Sequence, residues 1–392
     1  MTTATDALPA DDEAPATAEE AHAQGQADAV AQQEPGRGRD ASTPSELPAR
    51  GWRDILWRTV GSFLANQLAS AAAATTFFSL LALFPAITAF VSLYGLFNDV
   101  GTAREPLNLL AGVLPNAVLD FIGDEVERIA SSRSSDLGVA FIGSLLLSLW
   151  SANASVKSLF QAMNLAYHER EKRNIVVFTG LTLFFTVCGL LFVLAVIGLV
   201  VVTPLIFNII GWESGAAFLA PFRWPLLLFM QVCALAVVYR FGPSRTKARW
   251  RWVRWGSVVA ALLWVALGWL FSWYLSSVAD YAATYGSLGA VMGFMFWVYL
   301  SNLVVLFGAQ LNAEMEHQTA RDTTHRPEKP IGERGALVAD SVGPKAGAPE
   351  AARMTVEAAR EISRRAMLRR SKQQVAAAEA EKAEGDKGAE IP

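Results

Sequence analysis

Between residues 69 and 311 the chain carries six apolar stretches of the kind that cross a lipid bilayer. The clearest, 174–202, reads NIVVFTGLTLFFTVCGLLFVLAVIGLVVV and holds no charged side chain. A hydrocarbon core about 30 Å thick needs about 20 apolar residues in a helix. Backbone groups in that core find no water, so each stretch must satisfy its own N–H and C=O groups as a helix. The other five are approximately 69–97, 137–159, 224–239, 255–278 and 288–311. The stretch 224–239 is the weakest, being short and crowded at its start by Pro221 and Pro225. The expected fold class is all-α: a polytopic membrane helical bundle with six transmembrane helices, plus amphipathic interfacial helices and disordered tails.

Composition divides the chain in three. Residues 1–47 form an acidic N-terminal tail with almost no large apolar side chains, 48–317 the six-span membrane domain, and 318–392 a polar C-terminal tail. Neither tail has enough apolar surface to offset its ordering entropy, so both are expected to be largely disordered, apart from helix propensity over 354–382. The net charge of −3 therefore averages acidic tails with a basic rim on the membrane part. The first 47 residues have neither the basic start nor the apolar stretch of a signal peptide, so insertion is expected to be directed by the spans. Lys and Arg set orientation. They flank the first span (Arg50, Arg53, Arg58), follow the second (Arg170, Lys172, Arg173) and crowd the fourth-to-fifth connection (Arg240 to Arg254). On the opposite side the third-to-fourth connection offers only Arg223 and the fifth-to-sixth none, while the first-to-second has Arg104, Arg128 and Arg133 diluted by seven acidic residues. The reading is a multi-pass protein of the bacterial plasma (inner) membrane with both termini cytoplasmic.

Two segments read as interfacial helices. In 51–68, Trp52, Ile55, Leu56, Val60, Phe63 and Leu64 share a face, while Arg53, Asp54 and Arg58 lie elsewhere. On the outer side, apolar residues recur at helical spacing over 107–129 with a break at Pro115, giving two short helices, the second being 116–131.

Polar residues inside the spans are the candidate site. The first span carries Thr75, Thr76 and Ser79 and then Pro85, which removes a backbone donor and leaves a carbonyl free. Two readings stay open: a broken helix lining a polar cavity, or a packing kink against small residues. The second span has a stripe of Trp150, Asn153, Lys157, Gln161 and Asn164 at helical spacing. Lys157 either snorkels to the cytoplasmic interface or pairs with Glu314, one turn beyond Gln310 at the end of the sixth span. The candidate polar cavity is thus Thr75, Thr76, Ser79, Pro85, Asn153, Lys157, Gln310 and Glu314. Gly289 and Gly293 form a small-xxx-small pair expected to let helices approach closely. Cys188 and Cys233, both in apolar stretches, are expected as packed thiols.

Soluble catalytic chemistry finds little support. The histidines His22, His168, His317 and His325 are scattered, with no HxH or HExxH cluster for a hydrolytic metal and no Walker-type phosphate loop. No catalytic residue, metal or cofactor is expected. The basic loop Arg240–Arg254 with Trp250, Trp252 and Trp255 reads as a positive-inside loop touching anionic lipid, with no nucleic acid expected.

Three stretches resemble the YihY/virulence factor BrkB family: ATTFFSLLALFPAI in the first span, SLWSANASVKSLFQAMNLAYHE through the second, and YGSLGAVMGFMFWVYLSNLVVLFGAQLNAE through the sixth. The resemblance covers about residues 50–317. It implies a bacterial inner-membrane protein whose molecular function is unsettled. Some members carry the name "ribonuclease BN", which the residues here do not support. The expected function is envelope maintenance or transport of a small or lipidic substrate. The rival is a non-transporting membrane scaffold that organises envelope proteins through its tails and amphipathic helices.

Overall fold

A computed structural model describes residues 18–95, 107, 116–131, 137–202, 213–277 and 289–347. Among the described residues there are nine α-helices and no strand. In chain order they are α1 (Ala18–Gln33), α2 (Ala49–Ala65), α3 (Leu68–Gly95), α4 (Asn116–Ser131), α5 (Leu137–Ala166), α6 (Ile175–Ile197), α7 (Glu213–Phe241), α8 (Trp250–Ser277) and α9 (Gly289–Glu316). Five segments are long and apolar enough to cross a membrane: Leu68–Tyr94, Ile175–Val200, Pro221–Phe241, Trp250–Leu275 and Val291–Glu316. They coincide with five of the six expected spans. The remaining one falls in α5, a helix of 30 residues. Its Ser148, Ser151, Asn153, Ser155, Lys157 and Ser158 dilute its apolar character, and it is not among the five.

The helices of the membrane part are inside out relative to a soluble bundle. In α6 the buried side chains include Thr182 and Thr186, while Phe184, Leu191 and Leu194 are exposed. Extended apolar exposure of this kind marks a surface meant for lipid. Exposed tryptophans on α8 give a length scale. Trp250 and Trp255 lie at one end, Trp269 and Trp273 at the other. At 1.5 Å per residue the two pairs stand about 27–28 Å apart, close to a hydrocarbon core. Trp252, expected at the interface with them, is instead buried. Cys188 and Cys233 are unpaired and exposed on the apolar surface rather than packed.

The described residues form two compact units, one within 55–314 and one from 18–54 with 315–347. In the 55–314 unit α3 and α5 pack along one another, α6 against α5, α8 against α7, and α4 against α3. Helices α8 and α9 approach closely at Gly256 and Gly308. A Cβ on Gly308 would sit 2.7 Å from the Ala260 Cβ and 2.9 Å from the Gly256 carbonyl oxygen. Gly256 N–H donates to Asn312 Oδ1 at 2.9 Å, and Tyr239 OH donates to the Val305 carbonyl at 2.7 Å. Gly293, expected to mark a close approach, is buried but has no described atom within 4 Å of where its Cβ would be. The apolar face of α4 covers α3, with Val126 against Ile87 and Val91. Phe121 sits between Phe84 and Phe294, with ring centroids 6.3 and 5.3 Å away. The expected helix over 116–131 is thus present, whereas its predecessor falls almost wholly outside the described residues, as does 354–382.

The other unit differs from the expectation of disordered tails. Residues 34–54 and 315–347 are packed, with arginine side chains supplying the interior that apolar residues do not. Arg39, 1% exposed, donates to Glu34 and to the carbonyls of Gln318 (3.0 Å) and Gly343 (2.7 Å). Arg334, fully buried, donates to the carbonyls of Ala320, Arg321, Lys329 and Ala339. The Asp340 carboxylate accepts from the N–H groups of Gly332, Arg334 and Gly335. Burial raises its pKa above the usual carboxylate value, opposed by those hydrogen bonds and by Arg334. Ile331 N–H donates to Gln26 of α1, and Asp54 accepts from Arg37 and from Ala346 N–H. Composition misled here because it counts apolar surface and gives no weight to guanidinium groups that satisfy several carbonyls at once.

Candidate functional site

The seam between α3 and α5 is built from hydroxyls. Small residues on both helices allow backbones to approach closely, the usual basis of association in lipid. Thr75 Oγ1 lies 3.0 Å from Ser158 Oγ, and Ser79 Oγ 2.7 Å from Ser155 Oγ. Ser155 also donates to the Thr75 carbonyl, and Ser148 to the Ala82 carbonyl, both at 3.3 Å. As numbering rises on α3 it falls on α5, so the two are antiparallel. Pro85 lies inside α3, and the carbonyl it would deprive is that of Leu81, one residue before the Ser148 acceptor. On the neighbouring face, Asn302 of α9 donates to Thr76 Oγ1 at 3.0 Å. Thr75 and Ser79 thus line the α3–α5 seam, and Thr76 faces α9 beside it. Asn153 comes from α5 as well, 7% exposed, and its Oδ1 finds no hydrogen-bond partner; neither does the buried Ser151 Oγ. Unpaired polar atoms are costly to bury in a low-dielectric medium.

Gln310 and Glu314 form a separate cluster, and the partner of Glu314 is Arg58 rather than Lys157. Arg58 Nε donates to Glu314 Oε2 at 2.7 Å, with both side chains 3% exposed. Ser62 Oγ and Gln310 Nε2 donate to Glu314 Oε1 at 2.9 and 3.1 Å. Asn66 Nδ2 donates to Gln310 Oε1 at 3.3 Å, and Arg58 also reaches the Glu314 carbonyl. Arg58 and Ser62 lie four residues apart on α2 and Asn66 follows four further on, just past its end, while Gln310 and Glu314 stand four apart on α9. The sequence carried this signal: the same spacing that set Leu56, Val60 and Leu64 on one face of α2 set Arg58, Ser62 and Asn66 on another. Reading Arg58 only as a topology determinant concealed it. In the structure Leu56, Val60 and Leu64 are exposed and Arg58 is buried, the arrangement of a helix whose apolar face meets lipid.

Lys157 stands apart from both clusters. Among the described residues it has no ion-pair partner, and its side chain is half-buried. The Thr75–Ser158 contact fixes its level. Thr75 is seven residues beyond Leu68, so Lys157 lies about 10 Å along α3 from its first residue.

At the α5–α6 and α7–α8 connections the basic residues are engaged with protein. Arg173 donates to the carbonyls of Phe241 (3.2 Å), Gly242 (3.1 Å) and Pro243 (2.7 Å). Asn164 Oδ1 accepts from Ser244 N–H at 2.7 Å, and Ser244 Oγ from Lys172 N–H at 2.9 Å. Burial lowers the Arg173 pKa from its ordinary value, against the pull of Glu171. Arg245 lies over the Tyr167 ring at 4.2 Å, and Lys247 over Phe241 at 4.7 Å. Of the loop expected to touch anionic lipid, Lys247, Trp250, Arg254 and Trp255 are the exposed members.

Among the described residues no group of three His, Cys, Asp or Glu side chains is placed to hold a metal ion. No solved structure matches the chain. A ribonuclease-like protein of Bacillus subtilis, YfkH, is 28% identical over 62% of this chain and 88% of its own length. A UPF0761 membrane protein of Rhodospirillum centenum is 26% identical over 78% of this chain, and one of Xanthomonas axonopodis 26% identical over 67%. The chain spans 66% and 60% of the length of those two relatives. The virulence factor BrkB family profile matches residues 59–332, which takes in every described span and all of the two polar clusters except Arg58. The chain belongs to the virulence factor BrkB family of membrane proteins.

Proposed function

We propose that this protein is a non-enzymatic transporter of the bacterial inner membrane that moves a small or lipidic substrate in support of the envelope. In this reading α5 also crosses the membrane, as the second of six spans, and both termini are cytoplasmic. The observation that carries it is the polar content of α5: Ser151 Oγ and Asn153 Oδ1, buried without partners, and the cation of Lys157 a turn away. Polar and charged groups at such positions in membrane helices are costly and accompany substrate or ion pathways. The α3–α5 hydroxyl pairs close the seam beside them in this conformation, and α3 carries Pro85 in its middle, where a helix bends most readily. The arrangement suits a path that opens when α3 parts from α5.

The test is water access. In a variant with Cys188 and Cys233 replaced by alanine, a cysteine at Ser155 is exposed to membrane-impermeant maleimide in cells and in inverted vesicles. Labelling from at least one side is the expected outcome, with Thr246→Cys labelling only from the cytoplasmic side as the topology control. A Ser155→Cys protein that stays unlabelled from both sides has a solidly packed midplane. That outcome would favour the scaffold reading, to which the unit built from residues of both chain ends lends some support.

A further inference from the structure

The stripe on α5 that includes Lys157 has a polarity of its own. Val139, Leu146, Trp150, Lys157 and Gln161 are spaced seven, four, seven and four apart, which keeps them on one helix face. The first three are among the exposed large apolar side chains, Trp150 at 66%. Gln161 is exposed and Lys157 half-buried. The face thus runs from apolar to polar and cationic toward the α5 C-terminus. That is the end level with the start of α3, because of the Thr75–Ser158 register. No Asp or Glu occurs anywhere in α5. Asn153, on the edge of the same stripe, holds its unpartnered oxygen next to it.

A lysine in this position with no carboxylate beside it is a site awaiting an anion. A soluble anion would have to leave water to reach it. An amphiphile brings the anion and an acyl chain together, and the stripe offers partners for both. We infer that the α5 face binds one anionic phospholipid, with its phosphate at Lys157 and Gln161 and an acyl chain along Trp150, Leu146 and Val139. The inference rests on α5 lying in the membrane and not on transport, so a failed flux assay leaves it standing. It also differs from the diffuse attraction of lipid to Lys247 and Arg254 at the surface.

The experiment uses the full chain in lipid nanodiscs with trace phosphatidylglycerol or phosphatidylcholine, each spin-labelled deep in one acyl chain. The motionally restricted fraction is expected to be several-fold larger for phosphatidylglycerol in the wild type. Lys157→Gln should bring the two lipids close to parity, Lys157→Arg should keep the preference, and a Lys247→Gln/Arg254→Gln double variant should retain most of it. A second measurement keeps the native lysine: phosphatidylglycerol brominated on its acyl chains should quench fluorescence more than its phosphatidylcholine counterpart. Most of that excess should vanish in Trp150→Phe. A preference unchanged in Lys157→Gln, or an excess unchanged in Trp150→Phe, overturns the site. Displacement of the lipid by millimolar inorganic phosphate would identify a free-anion site and equally overturn the lipid assignment.

Discussion

Glu314 shows how a side chain's partner decides the meaning of its position. Its carboxylate is nine-tenths and more buried, and it is held by one cation and two neutral donors, Arg58, Ser62 and Gln310. Removing one member of a buried pair leaves the other uncompensated, a loss typically of about 3–5 kcal/mol. Arg58→Ala is expected to lower unfolding stability in detergent by an amount in that range. The Arg58→Ala/Glu314→Ala double variant should then be no worse than the poorer single one. The same cycle with Lys157→Ala and Glu314→Ala should be additive, since nothing in the structure joins them. A coupling energy near zero for Arg58 and Glu314, measured by denaturant titration, would reject the pair. Gln310 and Glu314 were legible as site residues in the sequence, but Arg58, Ser62 and Asn66 were not, and neither was the pairing. Depth along a helix was readable residue by residue, whereas the register between helices depends on contacts such as Thr75–Ser158 that no single segment encodes.

At the scale of elements, segment length and apolar continuity carried most of the information. Five of six expected spans and the helix over 116–131 fall where hydropathy put them, because a membrane helix must satisfy its backbone locally. Close approach between helices was harder to locate. Gly289 and Gly293 have the spacing, yet the crossing is made by Gly256 and Gly308, which lie on different helices and so form no motif. The two glycine types respond oppositely to a methyl group. Gly308→Ala forces a carbon against Ala260 and the Gly256 carbonyl, and overpacking of this kind costs about 1–3 kcal/mol. Gly293→Ala meets no described atom within 4 Å and removes a flexible residue from a helix interior, an expected gain of about 0.5–1 kcal/mol. Thermal unfolding in detergent should move in opposite directions for the two variants. Equal shifts would mean that the α8–α9 crossing is looser than the structure shows.

For the molecule as a whole, the unit made from residues 18–54 and 315–347 is the part least visible in composition, and its pH response offers a handle on it. Burial raises the Asp340 pKa above its ordinary 3.8. The folded unit therefore binds this proton more tightly than the unfolded chain does. The contribution of Asp340 is fully present below 3.8 and is lost as pH rises through the folded-state value. Protease resistance of 330–347 is expected to fall over that window more steeply in the wild type than in Asp340→Asn, and parallel profiles would contradict it. In the 55–314 unit the bonds from Arg173 to three successive carbonyls have a mechanical meaning. They rivet the α5–α6 turn to the α7–α8 turn with charge-assisted contacts, and the bonds of Asn164 and Ser244 brace the same joint. Those four helices are yoked at one end into a stiff frame. Against it α3 is held by exchangeable hydroxyl bonds, each worth about 0.6 kcal/mol in a membrane. Along α3, by contrast, the polar contacts to α5 between Thr75 and Ala82 come from neutral hydroxyls, so on the proposed transport reading this line, and not the charge-assisted joint, is where the helices would part.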